Sequence, residues 1–399
     1  MTNTNGASKS KASQGFPRMT TATRVVVVCM LDSIHTARWL ENFKDQGIDF
    51  YLFPSTPNRR VHSQIKNLIS NAQSQTSSFR LSPFAKWAAI PMWGADMVFG
   101  NRIRGYLVAR TARKVKATHM HAMELNHAGK ISTKALKNLE NLDPKVISTV
   151  WGSDIFWFGR FKKHQGYLTE ILTGTDLLVS ECNRDLELAK NLGFKGDFSK
   201  SETLFGFADS QIEKERVPAS KRNLILIKGY ESFVGRASIA IKAAQILSKD
   251  LDKYEIHVYS TTWKSRKLID KYNSTADRKI IYYKKNSLTS SQMLELFERA
   301  RVHIGVSLSD GVPASMLESM VTGAFPIQTN TACCDGWIVD QKSGLLVSPD
   351  LDQVVSALAK AISDDQLVDS AMAINHQTAI EKLSKTYVSE RISQMGIYN

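Results

Sequence analysis

Short, continuously apolar segments alternate with amphipathic helical patterns along most of the chain, and this alternation constrains the fold most strongly. RVVVVCML (Arg24–Leu31), IDFYLFP (Ile48–Pro54) and KVISTV (Lys145–Val150) are typical of strands that are buried on both faces. Between the first two lies HTARWLENFKDQG (His35–Gly47), a helical pattern that a glycine stops. The sequence therefore predicts an α/β fold with parallel sheets that are covered by helices on both sides.

The same alternation starts again after a polar segment, which indicates two domains. The segment QIEKERVPASKR (Gln211–Arg222) contains a proline and lacks periodicity, so we interpret it as a linker. NLILIK (Asn223–Lys228) and RVHIGVS (Arg301–Ser307) are among the strands that follow. We expect a disordered tail (1–20) followed by two Rossmann-like doubly wound domains, the first at 21–212 and the second at 213–385. A C-terminal helix (386–399) is expected to pack back on the first domain. Ligands of such sheets bind at the carboxyl ends of strands, so the predicted site is the cleft between the domains.

Net charge and cysteine usage limit the partners and the compartment. The 399 residues carry a net charge of +14, which implies an anionic partner such as nucleic acid, a membrane surface or a phosphate-bearing ligand. Four cysteines occur without a CxxC pair, and the adjacent Cys333 and Cys334 are typical of loop residues in a reducing cytosol. No signal peptide and no apolar segment of membrane-spanning length is found, so we expect a cytoplasmic protein.

The region 84–116 departs from the simple alternation. Its first half is apolar and carries two tryptophans, and its second half, RIRGYLVARTARKVK, has many cations and no acid. Aromatic residues beside a basic helix are typical of an element that lies on an anionic membrane surface. A core helix followed by a solvated basic face is an equally good interpretation.

The segment SDGVPASMLESMVTGAFPI (Ser309–Ile327) places two acids at the end of a predicted buried strand. Asp310 lies in the turn, and Glu318 lies eight positions further on in a predicted helix that Gly323 ends. By local criteria these are structural residues, since Asp-Gly favours turns and Ser315-x-x-Glu318 has capping-box spacing. The alternative is that the turn N–H groups and the helix N-terminus bind phosphate, while the acids bind the hydroxyls of a sugar or ribose.

These residues resemble a motif of retaining nucleotide-sugar glycosyltransferases of the GT-B fold, the large family 4 group. That motif has an acid, seven intervening residues and a glutamate, usually as E-G-x-P-x-S-x-L-E-A-M-x-x-G. The matching positions here are Asp310, Gly311, Pro313, Ser315, Leu317, Glu318, Met320 and Gly323. The downstream segment Gly336–Leu358 resembles the family as well. Asp310 replaces the more usual glutamate.

The resemblance implies roles for the residues of this motif. Asp310 would contact the hydroxyls of the donor sugar, and Glu318 would bind the ribose hydroxyls. The turn would line the diphosphate and the donor through Gly311, Val312, Pro313 and Ser315. The first domain would then bind the acceptor, and the second would bind the nucleotide-sugar donor.

The same resemblance implies further residues on both sides of the cleft. Lys228 and Arg236, in LIKGYESFVGR, are the cations available to neutralise the leaving diphosphate, and Gly229 would line the donor. In the first domain His121 matches a histidine that approaches the sugar. On the acceptor side the candidates are His35, Arg38, Gly152 and Asp154. A satisfied core histidine and plain surface residues are the alternatives here.

The implied reaction is transfer of a sugar, with retention of configuration, to a glycan or a lipid-linked acceptor in polysaccharide or glycolipid synthesis. The family needs no metal or other cofactor, and a peripheral position at the inner face of the membrane would suit such an acceptor. Nucleic acid is an improbable partner because no motif that reads RNA or DNA stands out. The alternatives are a non-catalytic glycan-binding GT-B protein and a GT-B nucleotide-sugar epimerase. A phosphorylase and a nicotinamide enzyme lack their motifs.

Overall fold

The computed structural model of the chain describes residues 22–57, 60–71, 73–85, 90–139 and 141–399. The predicted N-terminal tail (1–20) therefore lies outside the described residues. Two parallel sheets, one of seven strands and one of six, form the two α/β units. The fold prediction is confirmed.

The first unit has the strand order β3-β2-β1-β4-β5-β6-β7. Its strands are β1 (Arg24–Cys29), β2 (Asp49–Pro54), β3 (Ser78–Leu81), β4 (His119–Met123), β5 (Lys145–Thr149), β6 (Leu177–Ser180) and β7 (Asp197–Lys200). Its helices are α1 (Ile34–Glu41), α2 (Ser63–Ser70), α3 (Ile90–Phe99), α4 (Arg102–Val115), α5 (Lys130–Leu136), α6 (Lys162–Thr173) and α7 (Asn183–Asn191).

The second unit has the strand order β10-β9-β8-β11-β12-β13. Its strands are β8 (Leu224–Lys228), β9 (Glu255–Thr261), β10 (Ile281–Lys284), β11 (Ala300–Gly305), β12 (Phe325–Thr329) and β13 (Leu345–Val347). The remaining helices are α8 (Asp209–Ile212), α9 (Ala237–Ile246), α10 (Trp263–Asn273), α11 (Ser290–Arg299), α12 (Ala314–Thr322), α13 (Leu351–Ser363), α14 (Asp365–Lys382) and α15 (Lys385–Gln394).

The central strands are buried along their length, as their apolar sequences require. All of β1 after Arg24 and all of β11 are buried between helix layers. Each buried Val, Leu or Ile side chain contributes about 1.5–3 kcal/mol relative to an exposed one. The carboxyl ends of these strands are therefore fixed platforms for the turns that follow them.

The C-terminal residues belong to the core of the first unit. Val388 and Ile392 of α15, together with Tyr398, pack in one cluster with Trp39 and Phe43. The chain thus leaves the second sheet through α14 and returns to the first. This return ties the two units together at one end of the cleft.

A second connection between the two units is a disulfide that the sequence did not predict. Cys182, after β6, forms a disulfide with Cys333, although 151 positions separate them. Cys333 lies in a loop, as its sequence indicated, but its bond to Cys182 differs from the reduced cysteines that we expected. Cys29 and Cys334 are buried free thiols.

The region 84–116 forms α3 and α4 within its described part, while 86–89 lie outside it. Arg104 does not belong to a solvated basic face, because it is buried, pairs with Asp96 and donates to the carbonyl of Ser55 at 2.7 Å. Val98 is 75% exposed and Phe99 52%. Among the described residues, no helix is long and apolar enough to cross a membrane.

Candidate functional site

The turn after β11 carries Asp310, whose side chain faces the cleft. Its Oδ2 lies 3.5 Å from Nζ of Lys228, the last residue of β8, and its Oδ1 accepts the N–H of Gly311 at 3.0 Å. β8 and β11 are neighbours in the sheet, so their carboxyl ends bring these two charges together. The pair is about one-third exposed and therefore open to a ligand.

Glu318 projects from α12 and does not cap it. The helix begins at Ala314, and its N-cap residue Pro313 offers no side-chain hydrogen bond. The capping-box interpretation of Ser315 and Glu318 is therefore wrong, and Ser315 is buried. This leaves the Glu318 carboxylate available for a ligand at the cleft.

Arg38 meets Glu318 from the opposite unit. One guanidinium nitrogen of Arg38 lies 3.7 Å from Oε1 of Glu318, and the guanidinium stacks 3.8 Å above the ring of Phe205. Burial raises the pKa of Glu318, whereas the charges of Arg38 and Lys228 lower it. Arg38, predicted on the acceptor side, thus contacts the residue predicted to bind ribose.

A cavity of about 700 Å³ opens beside Glu318 and Arg38. Lys284, the last residue of β10, lines the cavity together with Asn286 and Leu288 just after the strand, and α15 contributes further residues. This volume falls in the range of small-molecule sites. The cavity thus lies next to Glu318, the residue that the family resemblance assigns to ribose.

Glu181 contacts the turn after β11 and was missed from the sequence. Its Oε2 accepts the backbone N–H of Val312 at 2.9 Å. Glu181 directly follows β6, and the carboxyl ends of parallel strands carry functional residues, so its position alone could have marked it. Gly152, predicted at the cleft, lies against the backbone of Gly311.

The two candidate cations differ in their surroundings. Lys228 faces Asp310, whereas the guanidinium of Arg236 donates to the carbonyls of Ser232 and Gly235 at 2.9 and 2.8 Å. Gly229 is packed too tightly for a side chain, since an added Cβ would lie 2.7 Å from the carbonyl oxygen of Tyr259. Of these two cations, the structure brings only the Lys228 side chain to the acidic turn, which is the turn after β11 that carries Asp310.

His35 lies in the cleft near the acidic turn. The residue retains access to solvent, while its ring packs edge-on against Trp151 with 5.7 Å between the two ring centroids. Desolvation by the cleft walls lowers the pKa of His35, and the charge of Arg38 lowers it further, while Asp310 opposes them. At neutral pH His35 is therefore an uncharged donor and acceptor beside Asp310.

His121 and Asp154 are buried structural residues. Both ring nitrogens of His121 are engaged at 2.7 Å, one by the hydroxyl of Tyr398 and one by that of Thr149. The carboxylate of Asp154 accepts backbone N–H groups, including that of Leu125 at 3.0 Å. In this structure His121 is buried in the core, which fits the alternative of a satisfied core histidine. Asp154 likewise holds local structure.

One group of possible metal ligands occurs in the part of the chain that the structure describes. Cys182, Asp185 and Cys333 have ligand atoms within 4.8 Å of one another. Two of the three are joined as a disulfide, so the group has no free thiolate to offer a metal. The group borders the turn after β11, since the backbone N–H of Cys333 donates to the carbonyl of Gly311 at 3.0 Å.

Comparisons with known proteins identify the fold. No family model and no curated protein matches the chain. HepE of Anabaena, solved in complex with UDP-glucose, is similar with a TM-score of 0.65 and 11% identity, covering 93% of this chain and 98% of that one. Sucrose-phosphate synthase from Thermosynechococcus elongatus is similar with a TM-score of 0.69 and 11% identity, covering 94% of this chain and 98% of that one.

A third similar structure is the lipopolysaccharide outer core galactosyltransferase WaaB in its apo form. It gives a TM-score of 0.66 and 13% identity, covering 94% of this chain and 99% of that one. At such identities the likeness concerns the fold, and it extends over both α/β units. The chain therefore has the two-domain GT-B fold.

Proposed function

We propose that the protein is a retaining glycosyltransferase that moves a sugar from a nucleotide-diphosphate donor to a glycan or lipid-linked acceptor, without a metal. The observation that carries the proposal is the acidic turn: Asp310 and Glu318 flank one turn at the cleft, with Lys228 3.5 Å from Asp310. Polysaccharide or glycolipid synthesis is the setting that such an acceptor suggests.

Each group of the turn suits one part of such a donor. The carboxylate of Glu318 accepts hydrogen bonds from ribose hydroxyls, and Asp310 accepts them from the sugar. As the bond between the anomeric carbon and the diphosphate breaks, charge grows on the leaving group, and the ammonium of Lys228 stabilises it. The cavity beside Glu318 provides room for the base.

The similar structures support a nucleotide-sugar donor. HepE was solved with UDP-glucose and WaaB is a galactosyltransferase, and each shares the two-unit fold with this chain. The turn that we assign to the donor lies at the carboxyl ends of the central strands of the second sheet, where ligands of such sheets bind.

The surface formed by α3 and α4, called here the basic patch, supports a position at an anionic membrane. Three of its apolar members are exposed, with Val98 at 75%, Phe99 at 52% and Tyr106 at 46%. Arg102 and Arg113 are exposed on the same pair of helices. Apolar side chains beside arginines suit the boundary between headgroups and acyl chains, where a lipid-linked acceptor would lie.

A donor screen tests the proposal. Nucleotide sugars are tested for thermal stabilisation and for release of nucleoside diphosphate, with and without EDTA. We expect one donor to stabilise the wild type and to turn over with EDTA present, and we expect Asp310→Ala and Glu318→Ala to lose turnover. Binding without turnover would favour a glycan-binding relict, and formation of an isomeric nucleotide sugar would favour an epimerase. The absence of any binding would refute the proposal.

A further inference from the structure

We propose that Glu181 occupies the phosphate seat of the donor site in the unliganded protein and that the donor must displace it, so that Glu181 controls donor affinity. The phosphate seat is defined here as the N–H of Val312 and the adjacent face of Gly311. The inference rests on the proposed function, which places the donor diphosphate at this turn.

The carboxylate of Glu181 lies where a phosphate oxygen would lie. Its Oε2 accepts the Val312 N–H at 2.9 Å, and a Cβ added at Gly311 would be only 2.5 Å from the same oxygen. A side chain at position 311 would therefore exclude the carboxylate. The neighbouring backbone N–H, that of Gly311, donates to Oδ1 of Asp310 at 3.0 Å.

The contact joins the two α/β units and is held by several neighbours. Glu181 comes from the end of β6 and Val312 from the turn after β11. Arg184 donates across the cleft to the carbonyl of Asp310 at 3.2 Å, and Ser309 donates to that of Gly152 at 3.0 Å. The disulfide at Cys182, the next residue, fixes the strand end further. Glu181 is thus positioned by the fold.

The charges around Glu181 make its occupation of the phosphate seat depend on pH. The acids that face it are Asp310, in the turn after β11, and Asp185 on α7. The nearby cations are Arg184, on α7, and Lys228, whose ammonium is paired with Asp310. Burial raises the pKa of Glu181 to about 8; the hydrogen bond from the Val312 N–H opposes this rise, and the charges of Asp310 and Asp185 contribute to it.

A diphosphate at the seat adds negative charge beside this carboxyl and favours its protonated form. Donor binding is therefore strongest while Glu181 holds its proton and weakens as the pH rises through about 8. The Glu181→Gln variant keeps the shape and cannot ionise, so it loses this pH dependence. The Glu181→Ala variant leaves the seat free and binds phosphate groups more tightly.

Calorimetric titration with inorganic pyrophosphate at pH 7 and pH 9 tests the inference without a known base or sugar. Glu181→Ala should bind pyrophosphate about three- to tenfold more tightly than wild type at pH 7, the range for removal of one competing hydrogen bond. Between pH 7 and pH 9 the wild type should lose affinity for pyrophosphate relative to Glu181→Gln. The ratio of the two dissociation constants is compared at each pH, because the titration of pyrophosphate itself affects both proteins equally. Glu170→Gln is the matched control and should leave pyrophosphate binding unchanged, because this half-buried acid on α6 pairs with Lys134 and Lys137.

The inference is overturned if Glu181→Ala and wild type bind pyrophosphate equally, or if no variant binds it. A constant ratio of wild type to Glu181→Gln between the two pH values overturns it as well, and this isosteric variant decides the matter if Glu181→Ala does not fold. Failure of the donor screen alone refutes the proposed glycosyl transfer and leaves the pyrophosphate result standing, so the two failures are distinguishable.

Discussion

Arg38 of the first unit and Glu318 of the second lie 3.7 Å apart across the cleft. In the unliganded protein each therefore satisfies part of the other's charge. A ribose that binds Glu318 has to share or replace this contact. The ion pair thus connects donor binding to the relative position of the two units.

Glu318→Gln should weaken donor binding about 10- to 100-fold, the effect of losing hydrogen bonds to a charged acceptor. The measurement is the dissociation constant of the best nucleoside diphosphate from the donor screen. Glu295→Gln, on the exposed side of α11, is the control and should bind like wild type. Equal binding by Glu318→Gln would remove Glu318 from the site.

Lys228→Ala should lower kcat by about 100-fold or more, the scale for removing one group that stabilises developing charge. Arg236→Ala should have a smaller effect, because the guanidinium of Arg236 is engaged by the carbonyls of its own loop. Steady-state kinetics of both variants checks this order. A larger loss for Arg236→Ala would reverse our assignment of the cation.

The Cys182–Cys333 bond should be recovered as one cross-linked peptide when unreduced protein is digested and analysed by mass spectrometry. Cys29 and Cys334 should be found as free thiols and serve as the internal control. Chain-entropy arguments give a cross-link over 151 positions about 5 kcal/mol of stabilisation. Cys333→Ser should therefore lower the Tm, and an unchanged Tm would show that the bond does not form.

Tyr398→Phe should lower the free energy of unfolding by about 1–2 kcal/mol, because it removes the buried hydroxyl that contacts His121 at 2.7 Å. Tyr387→Phe on α15 is the control, since that hydroxyl has no hydrogen-bond partner among the described residues. Denaturant unfolding gives both values. If Tyr398→Phe instead abolished donor turnover without loss of stability, His121 would have a catalytic role after all.

The double variant Arg102→Gln/Arg113→Gln should bind anionic vesicles about 20-fold more weakly than wild type, since each cation near such a surface contributes about 1 kcal/mol. Vesicle sedimentation at low and high salt provides the measurement, and salt should weaken wild-type binding. Lys267→Gln/Lys271→Gln, on α10 of the other unit, is matched in charge and should bind normally. Wild type that stays in solution at low salt would contradict the membrane role of the basic patch.

The fold and the acidic turn were predictable because both follow from the residue pattern of short, continuous segments of the sequence. Apolar runs such as β1 and β11 define buried parallel strands, and the spacing of Asp310 and Glu318 marks the turn after β11. What could not be predicted depends on contacts between distant positions. Glu181 meets Val312 across 131 positions.

The differences from expectation have the same origin. His121 was interpreted as a cleft residue because its sequence neighbours resemble a family segment, but Tyr398, 277 positions away, holds it in the core. Arg104 was grouped with exposed cations, and its burial depends on Asp96 and on the carbonyl of Ser55. Sequence spacing determines which face of an element a residue occupies, and tertiary packing decides what covers that face.

The most direct test of the account is a crystal structure of the protein with the nucleoside diphosphate that stabilises it most. We predict that the ribose hydroxyls contact the Glu318 carboxylate, that the diphosphate lies at the Val312 N–H with Glu181 displaced, and that the base enters the cavity next to Lys284. A nucleotide bound elsewhere, with Glu318 still paired to Arg38 and Glu181 still on Val312, would contradict the account.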